Sequence, residues 1–89
     1  MEFEWDTSKV ATNVRKHGIP FELAVQVFAD PARTEWLDDN LEEERWVTVG
    51  LVEGIELYVV YTVRAECVRL ISARKATRDE RKEYWNREV

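Results

Sequence analysis

The stretch that decides the fold is residues 45–74, which read RWVTVGLVEGIELYVVYTVRAECVRLISAR. Three runs in it are rich in β-branched and aromatic residues, and two short links, Glu53-Gly54 and Ala65-Glu66, separate them. Links of two residues are typical of β-hairpins. The pattern therefore predicts three consecutive antiparallel strands, at Arg45–Val52, Ile55–Arg64 and Cys67–Arg74.

Upstream of these strands, Arg33–Leu37 has the same character and predicts one more strand. Two helices are predicted before it. The first begins at a cap on Asp6 or Thr7 and ends at about His17, where Gly18 follows as a stop signal. The second follows Pro20, repeats apolar residues at helical spacing and ends at Asp30-Pro31.

Downstream, Thr77 and Glu80 have the spacing of a capping box and open a third helix. This helix has a thin apolar face, so it either docks through Tyr84 and Trp85 or waits for a partner. The predicted fold is a single α+β domain over residues 1–89 in the order ααββββα. Its sheet is a twisted, four-stranded antiparallel sheet with the helices packed on one face.

Alternation along the long strand Ile55–Arg64 separates two faces. One face, predicted to be core, carries Ile55, Leu57, Val59, Tyr61 and Val63, and the other carries Tyr58, Val60, Thr62 and Arg64. In the last strand the same rule puts Arg69 and Arg74 on opposite faces. Because Arg64 and Arg74 end adjacent strands, we expect them to lie together on an exposed rim or on the second face.

The chain has 89 residues, 45% apolar and 35% charged, which is typical of one soluble globular domain. Its only cysteine, Cys67, cannot form an intramolecular disulfide, and no apolar run approaches the ~18 residues that span a membrane. No basic leader precedes an apolar stretch. We therefore expect a cytoplasmic protein without membrane contact.

Charge is distributed unevenly along the chain. Residues 1–63 carry 5 Lys or Arg against 13 Asp or Glu, whereas residues 64–89 carry 8 against 5. Six of the acids fall between Glu35 and Glu44. This acidic segment and the later arginines are either solvated surfaces or two binding surfaces of opposite sign.

Several chemistries are excluded by composition. One His and one Cys provide no zinc-site spacing, three glycines form no phosphate loop, and no serine has a nucleophile-elbow context. We expect neither a metal nor a cofactor. The remaining Arg, Lys, Tyr, Glu and His side chains suit cleavage of RNA, in which the 2′-hydroxyl attacks the neighbouring phosphate.

Each candidate residue also has a structural interpretation. His17 is a general acid or base, or it interacts with the end of the first helix. Glu80 serves proton transfer, or it completes the capping box. Arg64 and Arg74 bind phosphate, or they pair with Glu56 or Glu66. Tyrosines 61 and 84 donate a proton or stack on a base, with core packing favoured for Tyr61, and the four tryptophans are most simply core and interface anchors.

Along nearly its whole length the chain resembles the BrnT family of toxin–antitoxin ribonucleases. The matching stretches follow in chain order: Phe3-Glu4-Trp5-Asp6 with Lys9 and Asn13, Arg15-Lys16-His17-Gly18, Phe21-Glu22 with Ala24, Val27-Phe28, Asp30-Pro31, Glu44-Arg45, Gly50, Val59-Val60-Tyr61-Thr62 with Arg64, Arg69, Ile71-Ser72-Ala73-Arg74, Ala76-Thr77, Glu80-Arg81 and Tyr84. Their order and spacing together carry the resemblance.

The resemblance implies a compact RelE-like fold and an endoribonuclease that arrests translation. It also implies neutralisation by a BrnA-like antitoxin with a ribbon-helix-helix module, in a complex of two toxins with two antitoxins that contacts DNA only through the antitoxin. The candidate catalytic positions are His17, Arg64, Arg74, Glu80 and Tyr84, and the candidate RNA-binding positions are Lys9, Arg69, Arg78 and Arg81. The acidic segment departs from the family pattern, and we expect it to face a basic stretch of the antitoxin.

The alternative is a toxin-fold module without catalysis that pairs with a DNA-binding antitoxin and takes part in promoter autoregulation.

Overall fold

The computed structural model describes residues 1–38 and 44–86. Five strands form one sheet: β1 (Glu2–Trp5), β2 (Thr34–Asp38), β3 (Arg45–Val52), β4 (Ile55–Arg64) and β5 (Cys67–Lys75). The three helices are α1 (Val10–His17), α2 (Phe21–Ala24) and α3 (Arg78–Asn86). A 3₁₀ turn at Thr7–Lys9 precedes α1, and α2 continues as a 3₁₀ helix over Val25–Ala29. The α+β class and the four predicted strands are confirmed.

The sheet differs from the prediction in one strand. Its spatial order is β1-β5-β4-β3-β2, and β1 pairs with β5 in parallel, so the sheet is five-stranded and mixed. The predicted four-stranded antiparallel sheet and the order ααββββα are therefore wrong in detail. Residues 2–5 do alternate charged and aromatic side chains, as a strand does, but a run of four is a weak signal, and its parallel partner β5 lies far away along the chain.

Both hairpin turns are confirmed. Glu53 and Gly54 have positive φ angles of 48° and 81°, and Ala65 and Glu66 have 48° and 68°. Two consecutive positive values are the mark of the turn that matches the twist of paired strands. At the first helix, Asp6 accepts a hydrogen bond from the amide of Ser8, and Gly18 closes α1 with a φ of 73°.

The helices do not share one face of the sheet. The core face carries Leu57, Val59 and Tyr61, and it packs against α2 and the 3₁₀ helix that follows it. On the opposite face, Val49, Leu51 and Tyr58 pack against Tyr84 of α3. We call this second side the α3 face. The prediction of helices on one face is therefore wrong, because neighbouring residues of β3 and β4 point to opposite sides and both sets are apolar at this end of the sheet.

A β-bulge in β5 changes the expected alternation. Val60 of β4 pairs with Ser72, whereas the next residue, Tyr61, pairs with Leu70, so that Ile71 is the extra residue. As a result Leu70 and Ala73 both lie on the core face, and both are buried. The same shift brings Arg69 and Arg74 to one face, which corrects their predicted separation.

Two polar side chains bond to the inner strands where the outer strands stop. β1 pairs only as far as Leu70, and beyond it the buried amide of Asn13 bonds to both the N–H and the carbonyl of Ala73, at 3.2 and 2.9 Å. β2 pairs only as far as Val49, and beyond it Asp30 accepts the amide of Leu51 at 2.8 Å. Because strand edges require partners for their polar groups, these two residues fix where α1 and the end of the 3₁₀ helix meet the sheet.

Candidate active site

Arg74 lies on the α3 face opposite Tyr58 of the neighbouring strand. Its guanidinium carbon is 3.8 Å from the centroid of the Tyr58 ring. Its Nη1 and Nη2 atoms donate to the two carboxylate oxygens of Glu80, at 2.8 and 3.0 Å. A guanidinium held by a bidentate pair and an aromatic ring has one fixed orientation, as recognition of a phosphate requires.

Glu80 has a structural role as well. Its carboxylate accepts the amide of Thr77 at 2.8 Å, and the Thr77 hydroxyl accepts the amide of Glu80 at 3.2 Å. The predicted capping box is thereby confirmed. The hydrogen bonds from Arg74 are the main cause that lowers the pKa of the Glu80 carboxyl, and the same contact raises the pKa of Arg74. Glu80 is therefore ionised at neutral pH and fixed beside a cation.

An open groove of about 500 Å³ runs beside this pair. Its walls come from β2, β3 and α3, and its lining residues are Thr34, Trp36, Val49, Glu80, Glu83, Tyr84 and Asn86. Trp36 is 40% exposed although its ring meets that of Tyr58 edge-on. Trp36 and Glu80 both line the groove, so an exposed aromatic ring and the carboxylate of the Arg74–Glu80 pair face the same space.

Tyr84 lines the same groove, but its hydroxyl points to another partner. It donates to Asp30 at 2.5 Å, and its ring meets that of Trp85 at 5.0 Å. Trp85 is exposed and donates its indole N–H to Glu56 at 2.7 Å. The third helix therefore docks on the sheet through Tyr84, one of the two arrangements that the sequence left open.

His17 and Lys9 line a different hollow. This hollow of about 260 Å³ lies between α1 and β5, and its lining residues are Lys9, Thr12, Asn13, Lys16, His17, Ile71 and Ser72. His17 is in the last turn of α1 and is exposed. The structure thus places Glu80 and Tyr84 in the wall of one groove, with Arg74 bonded to Glu80, and places His17 with Lys9 at a separate hollow.

Arg64 and Arg74 do not lie together. Both are on the α3 face, but Arg64 pairs with Cys67 at the hairpin end, whereas Arg74 pairs with Tyr58. Six residues of β4 separate the two positions, which is about 20 Å at ~3.4 Å per residue. The expectation of one shared site for these arginines is wrong, because antiparallel neighbours end at opposite ends of their hairpin.

The remaining candidates are spread over the surface. Arg69 donates to Glu4 of β1 at 2.7 Å, and on α3 Arg78 is exposed while Arg81 donates to the carbonyl of Ala76 at 3.0 Å. Three of the six acids of the acidic segment, Asp39, Glu42 and Glu43, lie outside the described residues. Its expected contact with an antitoxin stays a prediction.

Three residues of the site are not among the functional candidates that the sequence indicated: Tyr58 under Arg74, Trp36 in the groove wall and Asp30 bonded to Tyr84. Alternation along the strand places Tyr58 on the same face as Arg64, so the face on which Tyr58 lies could be predicted from the sequence. The contact between Tyr58 and Arg74 could not be predicted, because the bulge at Ile71 decides which side of the sheet Arg74 occupies.

Among residues 1–38 and 44–86, no three His, Cys, Asp or Glu side chains cluster so as to hold a metal ion. In the same part of the chain, no helix has the length and apolar content to cross a membrane.

No curated protein matches the chain. The family described as "Ribonuclease toxin, BrnT, of type II toxin-antitoxin system" matches residues 5–80 of the 89. This range contains β2 to β5 in full but only Trp5 of β1, and it ends at Glu80, so it covers most of the sheet and four of the seven residues that line the groove. The chain belongs to the BrnT family of ribonuclease toxins of type II toxin–antitoxin systems.

Proposed function

We propose that this toxin is a metal-independent endoribonuclease that uses the Arg74–Glu80 pair and arrests translation by cleaving RNA. The observation that carries the proposal is the bidentate contact of Arg74 with Glu80 above the Tyr58 ring, at the edge of an open groove. A fixed cation beside an ionised carboxylate supplies charge stabilisation and a base within one site.

The chemistry follows from these two groups. The carboxylate of Glu80 takes the proton from a ribose 2′-hydroxyl, and the 2′-oxygen forms a bond to the adjacent phosphorus. The guanidinium of Arg74 stabilises the charge that develops on the phosphoryl oxygens. The bond from phosphorus to the 5′-oxygen then breaks, which leaves a 2′,3′-cyclic phosphate and a free 5′-hydroxyl.

The leaving 5′-oxygen needs a proton, and we assign its donor to Tyr58. Burial raises the pKa of Tyr58 and keeps its hydroxyl protonated, and its ring lies directly under Arg74. Tyr84 and His17 are less well placed, because the Tyr84 hydroxyl donates to Asp30 and His17 lines the other hollow. Tyr84 then acts as a wall of the groove.

Binding of the RNA backbone extends over a wider surface. Arg64 and Arg69 share the α3 face with Arg74 and are assigned to phosphates away from the cleaved bond. Lys9, Lys16 and His17 line the hollow between α1 and β5, and Arg78 and Arg81 are exposed on α3. Separate cationic positions of this kind bind phosphate without reading sequence.

Membership of a type II family implies a protein antitoxin. We propose a BrnA-like antitoxin with a ribbon-helix-helix module, in a cytoplasmic complex of two toxins and two antitoxins. Ribbon-helix-helix modules dimerise to read paired half-sites, so DNA would be bound only through the antitoxin.

A module without catalysis is the second candidate. It is favoured by the pairing of Arg69 and Arg74 with Glu4 and Glu80, which neutralises two cations of the α3 face, and by the net charge of -5. In that case the toxin fold would serve to bind the antitoxin and regulate its promoter.

The deciding experiment incubates purified protein with total RNA in excess EDTA, with and without translating ribosomes. Cleavage that leaves 2′,3′-cyclic phosphate ends and is lost in Arg74→Ala and Glu80→Gln supports the proposal. Thr77→Ala is the matched control, since it removes one capping bond and leaves the Arg74–Glu80 contact. Absence of cleavage in every condition, with antitoxin binding retained, would favour the second candidate.

The role of Tyr58 has its own test. Tyr58→Phe keeps the ring under Arg74 and removes the proton donor. It should slow cleavage of ordinary RNA but not of a substrate whose leaving 5′-oxygen is replaced by sulfur, because a thiolate leaves without a proton. Equal slowing of both substrates would contradict the assignment.

A further inference from the structure

The groove beside the Arg74–Glu80 pair has the dimensions of a small-ligand site. Its volume of about 500 Å³ lies within the roughly 300–1,000 Å³ typical of such sites. Surfaces that bind folded proteins are broader and bury on the order of 800 Å² per partner. A concave site of this size next to a phosphate-binding pair suits one nucleotide unit of an RNA strand.

One wall of the groove offers a surface for stacking. Trp36 lies on the edge strand β2, and 40% of its surface stays exposed. Its edge-on contact with Tyr58 holds the ring upright on the α3 face. Stacking on an aromatic ring accepts any base, so Trp36 supplies affinity rather than selectivity.

The opposite wall carries groups that distinguish bases. Glu83 and Asn86 of α3 line the groove, and Thr34 of β2 lies across from them. A carboxylate only accepts hydrogen bonds, so Glu83 favours bases that present N–H donors. Adenine, cytosine and guanine carry an exocyclic amino group, whereas the one N–H donor on the base-pairing edge of uracil lies between two carbonyl oxygens, which repel a carboxylate.

We propose that this groove is a base-binding pocket for the nucleotide next to the cleaved phosphate, with Trp36 as the stacking surface and Glu83 as the acceptor that selects amino-bearing bases over uracil. The inference rests on the proposed function, because the adjoining phosphate site is the Arg74–Glu80 pair. Protein side chains could also fill an apolar groove, and the antitoxin is the competing occupant that the test must separate.

The test measures binding of non-cleavable 2′-O-methyl dinucleotides to the full chain, followed by the indole resonance of Trp36 in NMR. Adenine, cytosine and guanine dinucleotides should shift that resonance and bind about tenfold or more tightly than the uracil dinucleotide. Trp36→Ala should weaken all four by about tenfold or more, and Trp36→Phe should retain most of the affinity. Glu83→Gln should remove the preference against uracil, since an amide both donates and accepts.

Leu37→Ala is the matched control, because Leu37 is 42% exposed on the same strand but points to the core face. It should leave all affinities unchanged. The proposal is overturned if Trp36→Ala and Glu83→Gln bind the four dinucleotides as the wild type does, or if the Trp36 resonance shifts only when the antitoxin is added.

Cleavage of RNA separates this inference from the proposed function. If Glu83→Gln cuts total RNA with the same base distribution as the wild type, the selective pocket fails and the ribonuclease stands. If the dinucleotides bind in the groove but no RNA is cut under any condition, the ribonuclease fails and the base-binding pocket stands.

Discussion

The hydroxyl of Tyr84 donates a 2.5 Å hydrogen bond to Oδ2 of Asp30, and this carboxylate oxygen also accepts the amide N–H of Leu51 at 2.8 Å. Asp30 follows the helical segment on the core face, whereas Tyr84 belongs to α3 on the opposite face. One carboxylate therefore joins both helical layers to the exposed edge of β3. The Tyr84–Asp30 contact therefore holds α3 on the sheet and also positions Tyr84 in the wall of the groove.

Removing the Tyr84 hydroxyl should loosen α3. Tyr84→Phe keeps the ring but deletes a buried hydrogen bond to a charged acceptor, which costs about 1.5–3 kcal/mol of unfolding free energy. Urea denaturation followed by circular dichroism measures this. The exposed neighbour provides a control, since Trp85→Phe removes only an indole contact with Glu56 at the surface. Equal midpoints for Tyr84→Phe and the wild type would show that Asp30 does not hold α3.

Asn13 should tolerate no isosteric replacement. Its amide nitrogen donates to the carbonyls of Ile19 and Ala73, and its oxygen accepts the amide of Ala73. Asn13→Asp keeps the shape but points a carboxylate at two carbonyl oxygens inside the protein. Removing the buried donors costs about 1–3 kcal/mol for each group left unsatisfied. Thermal unfolding at pH 7 should show a large loss, and the loss should diminish at a pH low enough to protonate the new carboxyl.

Asn13 and Asp30 also show how much of the fold can be predicted from the sequence. The strands of residues 45–74, both two-residue turns, the Gly18 stop and the capping box were predictable, because each depends on neighbours within a few positions. Asn13 and Asp30 were not assigned, because their partners are 60 and 21 residues away along the chain. The strand β1 was missed although its four residues alternate charged and aromatic side chains, because so short a run is a weak signal and its partner β5 is distant along the chain.

The candidate site was predictable in its parts and not in its grouping. Glu80 and Tyr84 line one groove and Arg74 bonds to Glu80, but one bulged residue, Ile71, decides that Arg74 faces α3. Bulges depend on how two strands fit together, and alternation along one strand does not reveal them. His17 was grouped with Glu80 by chemistry alone, whereas α1 lies at the outer edge of β5.

The Arg74–Glu80 contact should make stability depend on pH in the acid range. Arg74 lowers the pKa of the Glu80 carboxyl in the folded state, so the contact stabilises the protein above the unfolded pKa of about 4.3. This stabilisation is lost as the pH falls through the lower folded pKa. Its size is on the order of 1 kcal/mol, because both side chains are partly exposed.

Glu80→Gln isolates this effect, since glutamine still completes a capping box. The difference in unfolding free energy between wild type and Glu80→Gln should be constant above about pH 6 and shrink below about pH 4.3. In a protein that already carries Arg74→Met, adding Glu80→Gln should change the unfolding free energy by less than it does in the wild type. A difference that stays constant down to pH 3 would mean that Arg74 does not stabilise the ionised carboxyl.

The distance of about 20 Å between Arg64 and Arg74 predicts independent effects on RNA cleavage. Arg64→Ala should weaken binding and reduce the slope of log affinity against log salt by about 0.7, the value for one phosphate contact to a single strand. Arg74→Ala should lower kcat. In the double variant the logarithms of the two effects should add to within about 0.5 kcal/mol.

Arg74→Ala combined with Glu80→Gln is the matched contrast, because these two side chains are in direct contact and their effects should be far from additive. Strong coupling between Arg64 and Arg74 would instead mean that one phosphate group bridges them. Such coupling would require the hairpin β4–β5 to bend on binding RNA, and it would contradict a site built on Arg74 and Glu80 alone.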